Sequence, residues 1–141
     1  MCGIIKNMYD ITIVCFCYKD DEFVLPFSLK SANTVFGDNL KIALVDDDDN
    51  PIGPTTIEKL KNDLTCEFVY EKSKFERNKN LNGRPAVNGI VDSFIKHSNG
   101  RNGIVIKLDP DTMILKRGLF DNFMLDNNME YIASCRPRLS F

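Results

Sequence analysis

Asp109-Pro110-Asp111 directly follows the apolar run Ile104-Val105-Ile106-Lys107-Leu108, and a second acidic run, Asp46-Asp47-Asp48-Asp49, ends an earlier apolar stretch. A buried strand that ends in two carboxylates spaced i, i+2 delivers both to one side of the chain at the carboxyl edge of a sheet, where open α/β folds bind ligands. Hard oxygen donors in that place suit a divalent ion and the phosphates it carries. The competing reading of Asp109 and Asp111 is a strand-to-turn cap in which Asp-Pro-Asp organises the turn. For residues 46–49 it is a solvated acidic loop that caps the next helix, and only Asp46 gains from its strand-end position.

The segments that must position these side chains alternate along the chain. Residues 11–16 read as a β-branched strand, followed by Leu25, Leu29, Ala32 and Phe36 at helical intervals closing at Gly37, with Pro26 obscuring where that helix begins. Residues 40–45 form a second strand. Thr55-Thr56-Ile57-Glu58 has the pattern of a capping box for a short helix that buries Ile57, Leu60 and Leu64. A third strand covers residues 66–70, and the polar stretch 72–83 reads as a surface loop. Pro85 suits the first turn of a helix with Val87, Ile90, Val91, Phe94 and Ile95 on its apolar stripe, stopped at Asn99-Gly100. Residues 104–108 give the fourth strand, 113–124 a short helix, and 131–135 an edge strand. This order predicts an α/β fold: a mostly parallel sheet, right-handed crossovers, helices on both faces, and the loops after Cys17, Asp46 and Leu108 gathered at one edge.

Composition narrows the classes. With 141 residues, 43% hydrophobic, 27% charged and 10 Phe, the chain fits a single domain, 1–141, with an ordinary core. Eighteen Lys and Arg against 20 Asp and Glu leave a net charge of −2, so there is no basic footprint for nucleic acid and no polybasic membrane anchor. The longest apolar run is too short to span a bilayer, and residues 1–10 lack the cationic start and cleavage site of a signal peptide, which makes a cytoplasmic location the expectation. Five cysteines, odd in number and mostly in apolar strands, read as buried reduced thiols. Cys15-Phe16-Cys17 has no second Cys or His pair to complete a zinc site. The single histidine, His97, sits at a helix end, where it complements the terminus.

Four segments together resemble a family: Ile13-Val14 through Tyr18 and Asp20, Ala43-Leu44-Val45-Asp46-Asp47, Gly83 through Ala86-Val87-Asn88, and Lys107-Leu108-Asp109-Pro110-Asp111-Thr112. In that order, over residues 10–125, they are similar to the nucleotide-sugar-binding half of GT-A glycosyltransferases, especially the family 2 type. The resemblance implies a UDP- or GDP-sugar donor, Mn²⁺ or Mg²⁺, and transfer of a hexosyl group to a hydroxyl acceptor. It implies that Tyr18 lies against the base, with Asp20 beside it, and that Asp46 accepts a hydrogen bond from the base. Asp109 would face the ribose or the ion, and Asp111 would ligate the metal bridging the diphosphate. Asn88 matches the family's Asn, and Val87 stands where the family usually has Arg, so the cation for the diphosphate would come from Arg84, Arg77 or Lys19. Asp48-Asp49 replaces the family's Gly-Ser.

The family places its acceptor site and catalytic base beyond the metal motif, and 30 residues follow Asp111 here. The expectation is an acceptor half that is short or missing, which leaves room for a homo-oligomer or a partner chain. Asp126 and Glu130 are the only carboxylates after Asp121; Asp126 is the candidate base, although Asp126-Asn127-Asn128 reads more naturally as a turn. Two functions stay open: a metal-dependent glycosyltransferase, and a non-catalytic or truncated GT-A module that binds a nucleotide or a partner. Spacing excludes EF-hand loops at Asp46 and Asp109, and the chain carries no P-loop or dinucleotide glycine motif.

Overall fold

Two segments are apolar on alternate and intervening positions alike, which places them at the middle of a sheet covered on both sides. These are β1 (Asp10–Cys17) and β2 (Leu40–Asp47), in which Ile11 through Cys17 and Ile42 through Asp46 are all buried. β3 (Glu67–Ser73) and β4 (Gly103–Leu108) are only partly buried and flank them, giving the order β3-β2-β1-β4. Every pairing is parallel, with Ile13 opposite Ile42 on one side and Ile106 on the other. The computed structural model describes residues 9–73, 84–118 and 120.

Parallel strands need crossovers, and three helices supply them. α1 (Leu25–Phe36) and α2 (Pro54–Asp63) lie on one face, where Ile13, Cys15, Ile42 and Leu44 pack with Leu25, Leu29 and Leu60. α3 (Arg84–Ser98) lies on the other, where Ile90 and Phe94 close over Val14, Phe16, Ala43 and Val45. This is the α/β arrangement that the alternating segments predict. Leu25, Leu29, Ala32 and Phe36 are the buried stripe of α1 as expected; Pro26 sits in its first turn, where no N–H is missed, and Gly37 ends it at φ 73°.

Several local expectations need correction. Thr55 does not cap α2: the helix starts two residues earlier than that cap implies, at Pro54, with Gly53 as N-cap and no side-chain cap of its own. Pro at the first helical position outcompetes the Thr-x-x-Glu pattern because its fixed φ is already helical. On α3, Val91 and Ile95 are 45% and 64% exposed, whereas His97 is 3% exposed. His97 stands in the last turn of α3 as expected, but it is turned inward: its Nε2 lies 2.8 Å from Glu71 Oε1, and Lys96 also pairs with Glu71. Residues 113–116 form no helix: Ser28 and Ser31 of α1 tie the chain there through Thr112 O (2.5 Å) and Ile114 N (2.9 Å), and helical residues appear only from Gly118. Cys15, Cys17 and Cys66 are free thiols; burial pushes Cys15 up to about 12 and Cys66 to about 11, which leaves them unreactive. Cys2, Cys135, most of the 72–83 loop and the 131–135 strand lie outside the described residues.

Glu71 yields a test by pH. Burial raises its pKa, but hydrogen bonds from Lys96 and His97 outweigh that and hold it below the usual 4.5. A carboxylate with a depressed folded pKa stabilises above its unfolded value and loses that contribution as pH falls through the folded one. Glu71→Gln is expected to lose about 1 kcal/mol near neutral pH and to converge with the parent as pH falls through the depressed folded-state value, as read from urea unfolding. Parallel stability curves for the two proteins across that range would remove Glu71 as the titrating group.

Candidate functional site

The carboxyl ends of all four strands share one edge. The order places the topological switch between β1 and β4, since β2 and β3 lie on one side of β1 and β4 on the other. Open α/β sheets bind ligands in the crevice at such a point. Cys17 and Asp46 are paired across β1 and β2, so Tyr18 leaves the sheet beside Asp47, and Leu108 pairs with Cys15 just short of Asp109.

After β1 the chain turns through a 3-10 helix, Lys19–Asp21, which the Tyr18 backbone N–H starts by donating to Asp21 Oδ2 at 3.1 Å. Tyr18 is half-buried and Asp20 exposed. A groove of about 650 Å³ opens beside this turn between α1 and α2, lined by Lys19, Asp20, Phe23, Phe27 and Lys59 among others. After β2 the loop is acidic and ordered from within: Asp47 accepts the Asp49 N–H at 3.1 Å, while Asp48 and Asp49 face solvent.

Asp46 itself is fully buried and turned inward. Its Oδ2 accepts the Ile52 N–H at 2.9 Å and the Tyr70 hydroxyl at 2.6 Å, and its Oδ1 lies 3.6 Å from Cys17 Sγ. Burial and then the bond to Asp46 push the Tyr70 hydroxyl upward, and burial followed by the Asp46 charge does the same to the Cys17 thiol. In this structure Asp46 holds the acidic loop to the sheet. Tyr70 and Ser28 are partners that local pattern does not single out; the one available signal was a serine pair, Ser28 and Ser31, on a mostly apolar helix.

After β4 the chain closes a turn in which the Thr112 N–H donates to Asp109 O at 3.0 Å, with Pro110 inside it. The two carboxylates therefore sit at the first and third positions of a β-turn, not on one side of an extended strand, because proline fixes φ for the second turn position. Ser28 Oγ donates to Thr112 O at 2.5 Å and reaches Asp109 O at 3.5 Å, which fixes the turn to α1. Asp109 and Asp111 are both exposed, and Lys107 Nζ pairs with Asp109 at 2.5 Å.

On the opposite face, Phe94 of α3 meets Phe16 near the end of β1 with ring centroids 6.3 Å apart, and β4 begins beside Asp10. α3 thus runs back across the sheet from the carboxyl side. Asn88, six residues before Phe94, lies on the order of 9 Å further toward that edge and is exposed. Arg84 is the first residue of α3, on the same side. The structure brings Tyr18, Asp20, Asp109 and Asp111 to the edge, with Asn88 and the start of α3 above it and Asp46 beneath it. Arg77 and Asp126 lie outside the described residues.

With that geometry in place, solved structures supply a match. The fold resembles that of S. aureus TarS. Crystal structures of TarS 1-349, one alone and one in complex with UDP, match 80% of this chain with TM-scores of 0.50 and 0.51. Sequence identity is 18% and 20%, and the chain spans only 31% and 30% of the respective TarS chains. No family model and no curated protein matches the sequence. The likeness to TarS shows the fold, a parallel α/β sheet with helices on both faces, and agrees with the fold expected from the four motifs. Among the described residues, no helix is long and apolar enough to cross a membrane.

Proposed function

We propose that the carboxyl edge binds a nucleoside diphosphate sugar, UDP-linked in the first instance, together with Mg²⁺ or Mn²⁺, and that the protein transfers the sugar to a hydroxyl acceptor. The observation that carries the reading is the convergence of the Tyr18, Asp47 and Asp109–Asp111 loops at the switch point of a fold shared with a UDP-bound TarS. Tyr18 offers the base an aromatic face, and Asn88 and Arg84, both in the first turns of α3, are the candidates to meet the diphosphate.

The donor set fits the metal. Mg²⁺ is usually held through one or two carboxylates, with substrate phosphates and water completing the shell. Asp109 and Asp111 supply such a pair from one turn. Lys107, which pairs with Asp109, would have to yield its place to the ion. Among the described residues, no three His, Cys, Asp or Glu side chains form a ready-made cage, so the proposed ion would depend on the donor's phosphates to complete its shell. Asp20, Asp47, Asp48, Asp49, Asp109 and Asp111 make this edge strongly acidic, and a bare diphosphate would be repelled from it. When bound, the metal would neutralise the departing diphosphate as its charge develops.

The reading is tested by a thermal-shift panel of UDP, GDP and CDP sugars with and without Mn²⁺, since a ligand that binds only the folded state raises the melting temperature. A shift seen only with metal supports it; no shift with any donor ends it. Binding without transfer would leave a donor-binding module. In the same assay Tyr18→Ala is expected to weaken UDP binding by about 1 to 3 kcal/mol, the range for a lost base-stacking aromatic. Unchanged affinity would make Tyr18 a bystander at the sheet edge.

A further inference from the structure

We infer that Glu22 is a positioning residue of the candidate site: from the loop after β1 it clamps the loop after β2, and so fixes the two walls between which a nucleoside would lie. The inference rests on the donor-site reading above.

The loop between β2 and α2 has no regular structure of its own, yet it is tied at every turn. Asp48 N–H donates to Ser73 O at 3.2 Å, Lys19 N–H donates to Asn50 O at 2.9 Å, and Ile52 N–H donates to Asp46 Oδ2 at 2.9 Å. The last tie is Glu22, whose Oε1 accepts both the Gly53 N–H at 2.9 Å and the Thr56 hydroxyl at 2.5 Å. These bonds, Thr56 first and then Gly53, hold the Glu22 carboxyl below its ordinary value, so the ionised form is the one that grips.

The clamp replaces a missing part of α2. A helix whose N-cap is glycine has exposed amide donors at a positive dipole end. In the usual capping box the residue at the third helical position reaches back to the N-cap amide. Here that residue is Thr56, and it donates instead of accepting. The acceptor arrives from Glu22, 31 residues earlier than Gly53 in the chain. A local Glu would cap the helix equally well but would join nothing. Glu22 caps it while locking the Tyr18–Asp21 turn to the acidic loop.

Gly53 is shaped to this contact. A Cβ at that position would come 2.8 Å from Glu22 Oε1, so alanine would displace the carboxylate. Its φ of −71° imposes no other need for glycine.

The experiment compares the full chain with Glu22→Ala, Glu22→Gln and Gly53→Ala by amide hydrogen exchange without ligand and by UDP titration with Mn²⁺. Glu22→Ala is expected to speed exchange at Ile52 and Gly53 by ~10-fold or more, well below the melting temperature. It is expected to weaken UDP binding ~5-fold. Glu22→Gln, whose amide oxygen still accepts both bonds, should restore both readouts, and Gly53→Ala should match Glu22→Ala. A stability control, Lys61→Gly on the exposed side of α2, should leave UDP affinity at the parent's value. Unchanged exchange at Gly53 in Glu22→Ala overturns the clamp, as does an affinity loss in the Lys61→Gly control equal to that of Glu22→Ala. If the parent binds no nucleotide, the donor-site reading fails separately, and exchange alone decides whether Glu22 sets the loop.

Discussion

Asp111→Asn is expected to remove the metal-dependent part of UDP binding while the melting curve stays where it was. The two halves of that result have different causes. Asp111 is exposed in a turn whose place is set by the Thr112 N–H and the Ser28 hydroxyl, each donating to a backbone carbonyl, so the change takes nothing from the core. It does remove one of the two carboxylates that the proposed cation needs. Even outer-shell partners of a metal typically cost 10–100-fold in affinity, so loss of a direct ligand should cost at least about 10-fold. Calorimetric titration of UDP with Mn²⁺ and again with EDTA separates the two components. Equal affinities in the mutant and parent with Mn²⁺ would assign Asp-Pro-Asp to turn formation alone.

The largest stability effect is expected at Asp46. Its carboxylate is 0% exposed and serves Ile52 N–H, the Tyr70 hydroxyl and the Cys17 thiol together. Asp46→Ala strands these donors where water cannot reach all of them. A buried unsatisfied donor costs about 1–3 kcal/mol, so with two strong donors affected the loss should be about 3 kcal/mol. Denaturant unfolding reads it directly. Tyr70→Phe, which removes only one donor and leaves Asp46 its other bonds, should cost about 1 kcal/mol, and the double variant should fall short of the sum because the two share one bond. Additive losses would show that the 2.6 Å contact carries no coupling.

Both residues were visible in the sequence, but for different reasons. Asp111 could be placed because an apolar run followed by Asp-Pro-Asp marks a strand end, and a strand end in an alternating α/β chain marks a ligand edge. The reading of i, i+2 as an extended pair missed, because Pro110 bends the chain into a turn that Ser28, 81 residues before Asp109, then fixes. Asp46 was likewise placed at an edge, but nothing local says that it is buried. That depends on Tyr70 arriving from the next strand. His97 shows the same limit from the other side: Val91 and Ile95 carry the stronger apolar signal, yet the histidine is the buried residue because Glu71 of β3 waits opposite it.

The sequence by itself determined the elements, their alternation and therefore the parallel sheet, because side-chain periodicity and glycine and proline punctuation act over a few residues. It also determined that carboxylates crowd one edge. Only the tertiary structure decided which of those carboxylates face solvent, which one is a buried strut, and that Glu22 caps a helix it does not belong to. Those outcomes are contacts between residues tens of positions apart, and they are set by strand register and helix placement, which no local pattern encodes.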